Sequence, residues 1–174
     1  MAKPQFSYHL DDLRALVSDI LAMAKAQGAS AADAQVSEGF GQTVTVRKAE
    51  IETLEHNRDK EIGVTCYLGK QSGYASSSDF SKVAILDAVQ KALTIARFTA
   101  SDEAAGLAEP EYLAREIHDL DLFHPWTPSV DVAADMARDC ERAAFALDKR
   151  VTNSEGATVS CQQYQGASGT TNGF

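Results

Sequence analysis

Leu10, Leu13, Leu16, Val17, Ile20, Leu21 and Ala24 recur three and four residues apart, which puts them on one face of a helix. The pattern predicts a helix over about residues 9–27, and Gly28 supplies its stop. From Asp33 to Arg47 the period changes to two: Val44 and Val46 alternate with Thr43, Thr45 and Arg47, as in a half-buried strand. Gly39 and Gly41 are expected to loosen or bulge its middle. "KAE" turns the chain, "IETLEH" reads as a second strand, and "HNRD" reads as a turn because Asn57 and Asp59 tolerate turn geometry. Ile62, Val64, Cys66 and Leu68 then share one face of a third strand, and "YASSS" makes a fourth after the tight connection "GKQSG".

Asp79 or Ser81 caps a second helix whose stripe is Leu86, Val89, Leu93 and Ala96. Residues 99–128 read as an irregular connecting wrap, punctuated by Pro110, Pro125 and Pro128, with an extended piece near Ile117. Ser129 caps a third helix, expected to face inward through Ala133, Met136, Cys140, Ala144 and Leu147. Strand texture returns after Arg150, with "NSEG" as a turn. Residues 166–174 read as a truncated or flexible end. The expected fold class is α+β: a mainly antiparallel meander flanked by two or three helices, in one domain over residues 1–174.

Composition narrows the function. Sixteen Lys and Arg against 25 Asp and Glu leave a net charge of −9, with no basic run, so nucleic acid is an unfavoured partner. No apolar run approaches the roughly 20 residues that span a bilayer, and acids interrupt the first helix, so neither membrane insertion nor a signal peptide is expected. Three widely spaced cysteines, Cys66, Cys140 and Cys161, argue against a disulfide framework and fit a reducing cytoplasm.

Candidate chemistry is sparse. His56 falls in the expected turn and Cys66 on a core face, which leaves them unable to converge on zinc. His118 and His124 bracket "DLDLF" and, with Asp119 and Asp121, imitate an acid–base or metal cluster. A solvated loop pinned by Leu120, Leu122, Phe123 and Trp126 explains them more simply. Glu50, Glu52 and Glu55 read as a charged outer strand face. There is no G-x-S-x-G, no H-E-x-x-H and no complete G-x-G-x-x-G. No catalytic, cofactor-binding or metal-ligating residue is therefore assigned.

"VRKAEIETLEHNRDKEIGVTCYLGKQSGYASSSDFS", "ARFTASDEAAGLAEP", "DLDLFHPW" and "DKRVTNSEGA", in that order, resemble the N-terminal portion of the TldD/PmbA family, historically called modulators of DNA gyrase. The "DLDLFHP" phrase favours the PmbA (TldE) branch. The resemblance implies a cytoplasmic metalloprotease assembly in which a PmbA-type subunit pairs with a TldD-type subunit as a heterodimer. That assembly degrades flexible peptides, including an antitoxin and a microcin precursor. It implies zinc held by an H-E-x-x-x-H helix of the TldD-type partner; "EHNRD" and "FHPW" do not match that motif, so no ligand carries over. The expected role is a scaffold wall of a peptide chamber, the alternative a non-catalytic peptide- or protein-binding module. Nothing in the acidic composition supports a direct association with gyrase.

Overall fold

The structure is a computed structural model, and it describes residues 6–114, 116 and 118–173. The elements are α1 (Leu10–Ala26), β1 (Ala31–Arg47), β2 (Glu50–Leu68), β3 (Gln71–Ser77), α2 (Lys82–Phe98), a short 3₁₀ turn (Pro110–Tyr112), α3 (Val130–Leu147) and β4 (Ala157–Thr170). The strands form one antiparallel sheet in the order β3-β2-β1-β4. This is the α+β class that the alternating and helical periods predict. By backbone packing the chain divides into two compact units, and β1, β2 and β4 each contribute residues to both.

The first unit holds residues 6–38, 59–119 and 164–173 of the described chain. Its core lies between two helices and one sheet face. Leu13, Val17, Ile20 and Ala24 of α1 join Ile85, Ala88, Val89, Ala92 and Leu93 of α2 over Ala32, Ala34, Val36, Ile62, Val64 and Cys66. Local chemistry fixes the helix ends. The His9 backbone N–H donates to the Asp12 carboxylate at 2.8 Å, and Ser81 caps α2 by accepting from the Ala84 N–H. Asp79 in turn accepts from the Ser81 N–H and hydroxyl, so both candidate caps act together. The β2–β3 hairpin is in register from Ile62 with Ser77 to Leu68 with Gln71. Gly73 in that register lies directly beneath α2: a Cβ there would sit 2.2 Å from the Ala92 carbonyl oxygen. Residues 166–170, expected as a loose end, continue β4, and the Thr171 N–H donates to the Ala32 carbonyl.

The second unit holds residues 39–58 and 120–163. Here α3 packs through Ala133, Ala134 and Ala137 onto Val44 and Val46 of β1, with Ala157 and Val159 of β4 alongside. Thr43 meets Ser160 and Thr45 meets Thr158 through their hydroxyls, which pins β1 against β4. Gly41 is a site of close approach: a Cβ there would lie 2.3 Å from the Cys161 carbonyl oxygen.

Two further expectations require correction. "HNRD" is not a turn, because β2 runs unbroken from Glu50 to Leu68. And α3 faces inward through Ala133, Ala134, Ala137 and Glu141, while Met136, Cys140, Ala144 and Leu147 are exposed. The extended piece expected near Ile117 lies outside the described residues.

Candidate functional site

The reversal from β1 to β2 is made by Lys48 and Ala49, whose φ values are 51° and 66°. Two successive residues with Cβ atoms in the left-handed region each cost about 1–2 kcal/mol. The compensation comes from α3. Glu141 accepts the Lys48 N–H at 2.9 Å and the Ala49 N–H at 2.8 Å, and it also accepts the Ser154 hydroxyl. Arg138 donates to the Ala49 carbonyl at 2.9 Å. These hydrogen bonds hold the Glu141 carboxyl below the usual glutamate range, the Ser154 hydroxyl contributing most. A fixed turn thus presents the first part of β2 to solvent.

That part is unusual for a strand. Glu50 to His56 are all exposed, Ile51 by 40% and Leu54 by 45%. β3 pairs only with Ile62–Leu68, and among the described residues no backbone bond joins the outer edge of Glu50–His56 to another segment. The result is a free edge of seven residues, about 23 Å long at roughly 3.3 Å per residue. Glu50, Glu52 and Glu55 line it, and Arg47 pairs with Glu52 at 3.4 Å. Such charges restrain indiscriminate strand addition while leaving the edge's hydrogen-bonding groups available.

The first unit offers a second surface, the sheet face away from its helices. Asp33 accepts the Thr65 hydroxyl at 3.2 Å and the Tyr67 hydroxyl at 3.3 Å. Tyr74 donates to Glu61 at 3.1 Å and lies over Gly63, where a Cβ would meet the Tyr74 ring. Partial burial, reinforced by Asp33, raises the Tyr67 hydroxyl above its ordinary value; burial also raises that of Tyr74. These groups stay protonated at neutral pH and act as hydrogen-bond donors.

A carboxylate clamp organises this unit as well. Glu38, 4% exposed, accepts the Ser7 and Tyr8 N–H groups at 2.9 Å each and the Gln165 amide at 2.8 Å. Neither Glu38 nor Glu141 stood out in the sequence. The available signal was phase: Glu38 shares the period of Ala34 and Val36, and Glu141 follows Ala137 by four residues.

The sequence-level candidates do not assemble. His56 is exposed within β2, not in a turn, and Cys66 is fully buried. Burial, assisted by Asp33, pushes the Cys66 thiol up to about 11, so it is not a ready thiolate. His118 lies 3.9 Å from Glu116, and His124 lies 3.6 Å from Asp121, all well exposed. Among the described residues no three His, Cys, Asp or Glu side chains converge, so these residues do not fit the four-ligand shell of zinc.

The comparisons with known proteins follow this architecture. Residues 32–96 match the family model described as PmbA/TldA metallopeptidase domain 1. Over 138 residues the chain is 46% identical to the Metalloprotease PmbA of Escherichia coli O157:H7, covering 79% of this chain and 30% of that protein. This chain carries the first domain of the PmbA/TldD family. A Metalloprotease PmbA homolog of Haemophilus influenzae is 40% identical over 147 residues, covering 84% of this chain and 32% of the relative. The crystal structure of TldE from Thermococcus kodakarensis superposes with a TM-score of 0.67 at 15% identity, over 91% of this chain and 35% of that one. This likeness shows a shared fold. The chain spans about a third of the length of the curated PmbA relatives it matches. Among the described residues no helix is long and apolar enough to cross a membrane.

Proposed function

We propose that this chain is the N-terminal scaffold domain of a PmbA/TldE-like subunit, working in the cytoplasm within a TldD–TldE-type metalloprotease complex. In this role it holds a flexible peptide while a TldD-type partner supplies the zinc and the bond-breaking step. The carrying observation is the exposed, unpaired edge of β2 over Glu50–His56, fixed at one end by the Glu141 clamp. An extended peptide adds to such an edge as a strand: backbone bonds supply affinity, and alternate side chains supply selectivity. Folded proteins keep their backbone groups internally paired, so the edge favours unfolded segments, such as an antitoxin or a peptide-toxin precursor.

The chain's own part is positional. A peptide aligned along β2 loses conformational freedom before it reaches a reacting centre, which is how binding lowers a barrier without chemistry at the binding site. Ile51 and Leu54 offer apolar contact, and Glu50, Glu52 and Glu55 bias the edge toward uncharged or basic segments.

The test is reconstitution with a TldD-type subunit and zinc. The pair is expected to co-purify and to cleave an unstructured peptide, and Thr53→Pro, which alters the β2 edge backbone, is expected to raise KM. Alanine at His118 and His124 is expected to leave the rate unchanged. Robust hydrolysis by the isolated chain would place catalysis here and refute the reading.

A further inference from the structure

Helix α3 turns Ala133, Ala134 and Ala137 inward and Val132, Met136 and Leu147 outward. Ala133, Ala134 and Ala137 are fully buried, whereas Val132 is 48% exposed, Met136 46% and Leu147 86%. Cys140 and Ala143 are exposed as well. At about 100° per residue, Val132, Met136, Cys140, Ala143 and Leu147 fall within an arc of about 80° and run about 22 Å along the helix. This width and spacing match the seam by which one helix packs on another, next to the stripe that already serves the sheet.

The seam is self-complementary. Val132 and Leu147 lie equally far from the midpoint of the seam, between Asp139 and Cys140, as do Met136 and Ala143. A second α3 laid antiparallel across a two-fold axis at that midpoint sets Met136 against Ala143 and Leu147 against Val132, large against small. Symmetry requires this reciprocity of a closed dimer interface. Charge selects the same orientation. Asp135, Asp139 and Arg142 are exposed on one flank of the seam. Antiparallel pairing brings Arg142 of each copy between Asp135 and Asp139 of the other, offset by about 3 Å along the axis. Parallel pairing would set Met136 against Met136 and Leu147 against Leu147, and would send the Asp135, Asp139 and Arg142 flanks of the two copies to opposite sides of the seam, where they could not pair.

We propose that α3 is a dimerisation helix, and that its outward seam docks antiparallel onto α3 of a second copy of this chain. A single four-turn helix pair is smaller than the roughly 800 Å² per partner of a standard stable interface, so the dimer is weak and concentration-dependent. Cys140 sits beside the axis and faces its own copy.

Sedimentation of the chain from about 1 μM to about 1 mM is expected to show a monomer–dimer equilibrium. Met136→Glu, at an exposed position, is expected to weaken it about tenfold or more while leaving the circular dichroism unchanged, because each copy would bury an unpaired carboxylate. In a Cys161→Ser background a short bis-maleimide is expected to link Cys140 to Cys140, and Met136→Glu to suppress that link. Arg142→Asp is expected to weaken the dimer, and mixing it with a chain bearing Asp135→Arg and Asp139→Arg to restore pairing between the two variants. A chain monomeric over the whole range overturns the proposal and leaves the seam to a different polypeptide. A dimer indifferent to Met136→Glu and Arg142→Asp overturns it equally.

Discussion

Gly73→Ala tests the packing of β3 beneath α2, where strand and helix backbones approach closely. An added Cβ would lie 2.2 Å from the Ala92 carbonyl oxygen, 2.5 Å from the Ala96 nitrogen and 2.9 Å from the Ile95 Cβ. Unstrained non-bonded contacts sit near 3.5 Å or beyond, so strand and helix must separate by about 1.3 Å at this point. The obstructing atoms are helix backbone, joined by the Ala96-to-Ala92 bond of an α-helix, and cannot rotate away. Overpacking of this kind costs about 1–3 kcal/mol, and backbone obstruction puts the site near 3. Removing a strand glycine returns roughly 0.5–1 kcal/mol through the unfolded chain. The net loss is about 2 kcal/mol, or a fall in Tm of roughly 4–8 °C for a chain of this size. The measurement is thermal unfolding by circular dichroism, with hydrogen exchange at Ala92 and Ala96 to locate the loosening in α2. Gly166→Ala is the comparison, since its nearest neighbour, the Val36 carbonyl oxygen, stands 3.1 Å away and needs to yield only slightly. A Gly73→Ala protein as stable as the parent would refute the close approach, and with it the placement of α2 over the β2–β3 hairpin.

Three further outcomes are expected. Leu13→Ala removes a fully buried side chain from the first unit's core and should cost about 3 kcal/mol, read as a lower urea midpoint at unchanged m. Glu141→Gln should speed hydrogen exchange at Lys48 and Ala49 and lower the Tm. Because folding depresses the Glu141 carboxyl, its contribution is complete above the ordinary glutamate range and fades as pH falls through the depressed folded value; the variant should lack that acid-side loss. Thiol labelling near pH 8 should proceed at exposed Cys140, lag at half-buried Cys161, and reach Cys66 only on unfolding, since burial raises the Cys66 thiol to about 11.

Where an element has one wet and one dry face, its sequence announced it. The stripe of α1 and the alternation of Ile62, Val64 and Cys66 predict the buried sets that the structure shows. The first part of β2 has no dry face: Glu50 to His56 are all exposed, so "IETLEH" reads as a strand but carries no apolar phase to join it to the strand that follows. Asn57 and Asp59 then resemble a turn by residue type alone. The same exposure that hid the continuity of β2 through Asn57 and Asp59 makes its first part the candidate binding edge. The turn at "KAE" was legible but its left-handed geometry was not, since neither Lys48 nor Ala49 is the glycine or asparagine that left-handed φ favours. Its support, Glu141, is 93 and 92 residues away, beyond any local pattern.

The error over α3 is of another kind and carries a physical lesson. Its sequence holds two apolar arcs side by side, and hydrophobicity alone favours burying the one with Met136 and Leu147. The protein buries the alanines because the turn needs a carboxylate: Glu141 must stand over Lys48 and Ala49, and it lies on the alanine side of the helix. Rotating α3 to bury Met136 would swing Glu141 away from two left-handed residues whose N–H groups it holds. Small side chains also let the helix approach Val44 and Val46 closely enough for that contact. The polar clamp therefore sets the helix phase, and the displaced apolar arc is what α3 has left to offer a partner.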